Sequence, residues 1–122
     1  MARLSINDIL NAEDYKTEMV SVPEWGGEVE VATMSAEAKD AYEISLLKLK
    51  EDGEGFERDL ENARAKMVAA CVVDEHGNRM FKSEAQVKAL GSKSAAALDR
   101  VFDVCKRLNH VSNEDIEELS GN

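Results

Sequence analysis

The chain has 122 residues, 43% of them hydrophobic, and 25 Asp and Glu against 15 Lys and Arg leave a net charge of −10. That length predicts a single domain over 1–122, with enough buried surface to fold without metal or disulfide support. The charge argues against nucleic acid or an anionic membrane as partner, the hydrophobic content argues against a disordered acidic chain, and the longest apolar run, Met67–Val73, is too short to cross a bilayer.

The opening, MARLSINDIL, has no basic region followed by an apolar stretch, so no signal peptide is expected. Ser5–Leu10 instead reads as a turn or two of helix, with Ser5 as N-cap and Asp8 in the fourth place of a capping box. A β-hairpin is predicted over 15–34. Tyr15–Val22 is rich in Tyr, Thr and Val. Glu28–Met34 alternates, with Val29, Val31 and Thr33 on one face and Glu28 and Glu30 on the other. Between them, Pro23-Glu24-Trp25-Gly26-Gly27 suits a loop, the proline setting its start and the glycines supplying positive φ. A lone hairpin is marginal in water. Its Val29/Val31 face is therefore expected to pack on helices or to extend into a larger sheet.

A helical part is predicted over 35–110. Ser35 caps a first helix running to about Lys50, with Ala38, Ala41, Tyr42, Ser45, Leu46 and Leu49 on its buried stripe. An acidic glycine loop, Glu51–Gly55, ends it. A second helix is predicted from about Phe56 to Val72, with Phe56, Leu60, Ala63, Met67 and Cys71 on its stripe. Asp74–Asn78 forms a turn, and Val72-Val73 and Met80-Phe81 on either side suit a very short hairpin. Ser83 caps a helix over Glu84–Leu90, with Gly91 as its C′ residue. Ser92 or Ser94 caps the last long helix, whose stripe is Leu98, Val101, Phe102, Cys105 and Leu108. Ser112 and Asp115 repeat the capping pattern before Ile116 and Leu119, giving a short helix and tail over 112–122. A hairpin followed by helices makes the fold class α+β.

The chain offers little chemistry. Cys71 and His76 stand five apart, as do Cys105 and His110, and four such ligands would suit tetrahedral zinc. Their spacing does not match the usual zinc pairs, and both cysteines fall on apolar helical stripes, where a thiol behaves as a small hydrophobe. No metal and no cofactor are expected. Two cysteines make no disulfide framework, and with no leader expected the reading is a cytosolic protein. The serines sit at helix starts, where capping explains them. Asp52-Gly53-Glu54-Gly55 lacks the lysine and hydroxyl of a phosphate loop and the ligand order of a calcium loop. Glu57, Glu61 and Arg64 read as a solvated helix face. No enzyme is expected.

Three residues stand out as candidates for partner binding. Trp25 either folds back to anchor the hairpin on the core or stands exposed at the loop tip as a binding hot spot. Ile44 and Leu47 lie off the main stripe of the first long helix. They either widen its buried face or offer a helix-in-groove contact. The hairpin's unpaired edges could pair with a partner or with copies of the chain in a homo-oligomer.

The succession of phrases carries a resemblance. VPEWGGEVEV over Val22–Val31 is followed by Met34-Ser35-Ala36-Glu37 and Ala41-Tyr42-Glu43. Then come NARAKMVAACVVDEHGNRMF over Asn62–Phe81, VKALGSKS over Val87–Ser94, AAALDRVF over Ala95–Phe102, and DIEEL over Asp115–Leu119. That order resembles the tail assembly chaperones of long-tailed, non-contractile phages. The resemblance implies a non-enzymatic morphogenesis factor in the host cell cytoplasm, absent from the mature virion. It would keep the tape measure protein soluble and help recruit tail tube protein. It would also work beside its own longer form, made by ribosomal frameshifting. The alternative is an acidic phage structural or inhibitor protein that binds a basic protein partner.

Overall fold

The computed structural model describes residues 2–111. The chain opens with α1 (Ile6–Asn11), held by the expected capping box: Ser5 Oγ accepts from the Asp8 N–H at 3.1 Å, and Asp8 Oδ2 accepts from the Ser5 N–H at 2.9 Å. Those bonds, the Ser5 backbone bond foremost, hold the Asp8 carboxyl below its ordinary value. No residue of α1 is buried.

β1 (Thr17–Val22) and β2 (Gly27–Ala32) form the expected antiparallel hairpin, with Val20 opposite Val29 and Glu18 opposite Val31. Its loop is a 3₁₀ turn, Pro23–Trp25, closed by Gly26 at φ +78°. Only Gly26 needs its glycine for a left-handed backbone, because Gly27 already begins β2. Val20, Val22 and Val31 are buried on one face, and Val29 is packed beside them.

α2 (Ala36–Ser45) starts as expected, with Ser35 Oγ accepting from the Ala38 N–H at 3.0 Å. It stops short of Lys50. Leu46 turns into the core, and β3 (Leu47–Leu49) pairs antiparallel with β4 (Phe56–Arg58). The expected helices therefore each lose one end to a second hairpin. Leu-Lys-Leu and Phe-Glu-Arg alternate with period two, and the intervening Gly53 and Gly55 take φ +76° and +94°, which closes the turn. Leu49 and Phe56, expected on buried stripes, are exposed instead.

α3 (Ala63–Cys71) follows Asn62, itself in the left-handed region at φ +56°. Ala65, Met67, Val68, Ala69 and Cys71 are all buried, so α3 is covered on most sides and forms the centre of the helical part. β5 (Val72–Val73) pairs antiparallel with β2, which gives a three-stranded sheet in the order β1-β2-β5. The first hairpin thus does extend into a larger sheet. The expected pairing of 72–73 with 80–81 reduces to a bridge between Val73 and Arg79 and a bond from the Met80 N–H to the Val72 carbonyl at 3.2 Å.

α4 (Glu84–Gly91) begins with a capping box between Ser83 and Gln86. Gly91 is its last residue, not a left-handed C′. A Cβ there would lie 2.5 Å from Asn62 Oδ1, so the glycine lets α4 approach the start of α3. α5 (Ala95–Leu108) is capped by Ser94, while the Ser92 hydroxyl donates to the Ala89 carbonyl at 2.6 Å. Ala97, Leu98, Val101, Phe102 and Cys105 are buried, and α5 packs on both α3 and the β1-β2 hairpin. Arg107 pairs with Glu18, and Arg100 with Glu24 at 3.0 Å, clipping the hairpin to α5. The expected cap and helix at Ser112, Asp115, Ile116 and Leu119 lie outside the described residues. Hairpin and helical body together make the fold α+β.

Candidate functional site

The four candidate zinc ligands do not converge. Cys71 and Cys105 are buried and free, with the Cys71 thiol donating to Met67 Sδ at 3.8 Å, whereas His76 and His110 lie on the surface. The Cys71 contact and burial push the Cys105 thiol far above its ordinary value, which leaves it neutral and unreactive. Asn109 binds this pair to the sheet. Its Nδ2 donates to the Cys105 carbonyl at 2.9 Å and to Cys71 Sγ at 3.4 Å, and its Oδ1 accepts from the Met34 N–H at 2.6 Å. The Tyr42 hydroxyl is buried without a partner, and burial pushes its pKa up to about 12.

An open groove of about 500 Å³ lies between α2, α3 and α4. Small side chains line its walls, among them Ala38, Ala41, Ala69 and Ala70. Two of its cations are engaged locally: Lys66 Nζ donates to the Ser45 carbonyl at 2.8 Å and faces Asp59 at 3.8 Å, and Arg79 Nε donates to the Ala69 carbonyl at 3.3 Å. Its lining holds no cysteine or histidine.

The surface is more informative. Two elements each group several exposed large apolar side chains that a solvated body does not need. One is α1 with its approach: Leu4, Ile6, Ile9 and Leu10. The other is the β3-β4 hairpin. Leu49 pairs with Phe56 and Leu47 with Arg58, so these four share one face, while Lys48 and Glu57 pair on the other at 3.9 Å. Leu49 and Phe56 are 63% and 64% exposed and Leu47 is 36% exposed. Ile44, in the last turn of α2, and Leu60, just past β4, are also exposed. Arg58 Nε is buried with no acceptor. A covered donor left unpaired costs about 1–3 kcal/mol.

The candidate residues from the sequence separate here. Ile44 is 68% exposed, so it does not widen the buried face of α2, and Leu47 lies on the hairpin face rather than on a helix. Trp25 is half-buried against the core, on a loop tied to α5 through Glu24 and Arg100. The Glu24 carboxyl is held below its ordinary value, first by a backbone hydrogen bond and then by Arg100. Leu49 and Phe56 were missed because the helical stripes absorbed them. Their period-two alternation on either side of an Asp-Gly-Glu-Gly turn was the available signal.

No curated protein and no solved structure matches the chain. A family profile described as phage tail assembly chaperone matches residues 7–119, from within α1 to beyond α5. A non-catalytic chaperone role agrees with a molecule whose conspicuous surface is apolar rather than reactive. With nearly its whole length matched, the chain belongs to the phage tail assembly chaperone family.

Proposed function

We propose that this chain keeps the tape measure protein of its phage soluble during tail assembly and helps recruit tail tube protein around it. The carrying observation is the pair of exposed apolar elements, α1 and the β3-β4 face, on a body of net charge −10. Apolar faces of this kind can cover the apolar stripe of a client helix. The negative charge keeps the loaded complex from aggregating. Ile44 and Leu47 contribute to that contact, with Leu49 and Phe56 beside them. Trp25 supports it by holding the first hairpin on the core. The work takes place in the host cell cytoplasm, beside a longer frameshifted form, and ends before the virion is complete.

Co-expression tests this reading. The tape measure protein of the same phage is expressed alone and with this chain, and the soluble and copurifying fractions are measured. The expected result is an insoluble tape measure alone and a soluble complex in the presence of the chain. A tape measure that stays insoluble with both this chain and its longer form supplied would overturn the proposal.

A further inference from the structure

We infer that two copies of this chain join through the free edges of β1, antiparallel and centred on Met19, merging their three-stranded sheets into one continuous sheet. The partner is a second copy, and the contact is separate from the apolar elements assigned to a client.

β1 is an outer strand of the order β1-β2-β5. The Thr33 N–H donates to the Lys16 carbonyl at 2.9 Å, so those two residues form a hydrogen-bonded pair. The register is unbroken from Thr17 opposite Ala32 to Val22 opposite Gly27. Bonding alternates along it, and Glu18, Val20 and Val22 are the β1 residues that bond to β2. Thr17, Met19 and Ser21 therefore aim their N–H and C=O groups at the free edge. Among the described residues no backbone group pairs with them there, and all three residues are exposed. The other edge of the sheet differs: β5 is two residues long, and Arg79 bridges to it.

A free edge is commonly guarded by charges, a proline, a bulge or a covering segment. β1 contains no proline and no bulge. Its one charged residue, Glu18, is turned toward α5 and pairs with Arg107. What remains is self-complementary. Centring the pair on Met19 sets it against Met19 of the second copy, and sets Thr17 against Ser21 of the second copy. All three edge residues then bond, giving about six hydrogen bonds across the seam. Centring on Thr17 or Ser21 instead sets Met19 against Tyr15 or Pro23, both outside the strand, and Pro23 has no N–H. The methionines, 55% exposed in the single chain, cover each other between hydroxyl side chains.

The acidic body does not oppose this seam locally. Glu30 lies opposite Met19 on β2. Across the seam the two Glu30 residues stand three strand spacings apart, about 14 Å, beyond the Debye length of about 8 Å at physiological salt. α5 packs across both β1 and β2. Two such helices flank the seam about 10 Å apart, an ordinary helix-packing distance.

Sedimentation velocity of the full chain over a concentration series tests the pairing. A monomer–dimer equilibrium is expected, and a monomer throughout would overturn the inference. Met19→Pro deletes an edge N–H and leaves the bonds to β2 in place. Two-fold symmetry deletes it twice, so the dissociation constant should rise about thirtyfold. Met19→Lys and Met19→Glu keep the backbone donors but set like charges against each other. Each should weaken the dimer, and an equimolar mixture of the two should pair again. Circular dichroism and thermal melts select variants that remain folded. Register is read by oxidation with diamide. Met19→Cys should form an interchain disulfide, because opposed Cα atoms in a hydrogen-bonded pair lie about 5.5 Å apart. Thr17→Cys and Ser21→Cys should each cross-link poorly alone and well when mixed. A dimer that Met19→Pro leaves intact, with no disulfide from Met19→Cys, would overturn the inference and move the contact to another surface. So would a mixture of Met19→Lys and Met19→Glu that pairs no better than either alone.

Discussion

Asn109→Ala isolates the side chain that joins three elements. Asn109 follows α5, yet its amide reaches the backbone leaving β2 and the last residue of α3. Truncation removes the Oδ1 acceptor 2.6 Å from the Met34 N–H and the Nδ2 donor 2.9 Å from the Cys105 carbonyl. The carbonyl is not stranded, because the Asn109 backbone N–H also reaches it at 3.1 Å. The Met34 N–H loses its acceptor in a half-buried place. Two bonds at about 1 kcal/mol each, and about 1 kcal/mol more for the stranded donor, predict a loss of about 3 kcal/mol. For a domain of this size that is about 12 °C in Tm. Urea unfolding, with the midpoint lowered and the slope unchanged, is the assay.

Asn109→Asp sharpens the test. Its first oxygen still accepts from the Met34 N–H, but its second faces the Cys105 carbonyl where a donor stood. That repulsion raises the folded-state pKa of the new carboxyl. The unfolded chain then loses its proton first, so stability relative to wild type is best at low pH and falls as pH rises through the folded value. A loss under about 1 kcal/mol for Asn109→Ala, together with no pH trend for Asn109→Asp, would refute the assigned role.

Three further outcomes follow from the same geometry. Tyr42→Phe removes a buried hydroxyl that has no partner, so stability at neutral pH should hold or rise by up to about 1 kcal/mol. Because Tyr42 titrates at about 12 when folded, against 10.0 for an ordinary tyrosine, the wild type should lose about 2–3 kcal/mol of stability between those values; alkaline melts of Tyr42→Phe should lack that component. Gly91→Ala gains helix propensity of about 1 kcal/mol but drives a methyl toward Asn62 Oδ1 and Cγ at 2.5 and 3.1 Å, for a net loss of about 1 kcal/mol. In an Asn62→Gly background that loss should become a gain, read as a double-mutant cycle in urea. Ser5→Ala removes the cap of a helix that buries nothing, so helical signal and amide protection should fall over Ile6–Asn11 while the global Tm stays unchanged.

The elements that were legible in the sequence are those whose burial is one-sided over many residues. The alternation in β2 and the Leu98–Leu108 stripe of α5 each repeat often enough to decide between periods. The second hairpin failed that test. Its strands have three residues each, too few for period two to compete with a helical stripe that Tyr42 and Leu46 happen to continue. Half the candidate site was lost with it: Ile44 and Leu47 stood out as off-stripe residues, but Leu49 and Phe56 were assigned to buried stripes. The pairing of β5 with β2 joins segments distant in the chain, and no local pattern encodes such a partner. Gly91 carried a correct signal, a helix about to end, but its need for glycine comes from Asn62 of another element. The role of Asn109 has no local signal in the sequence, because its partners, Met34 and Cys71, come from other elements.

The central claim is that exposed apolar surface on an acidic body shields a client helix. Light scattering after dilution of denatured tape measure protein into buffer measures this most directly, with wild type or a folded Leu49→Ser/Phe56→Ser variant present. The account predicts that the wild type suppresses scattering at near-stoichiometric amounts and that the variant suppresses it far less. Equal suppression by both proteins, or none by either, would contradict it.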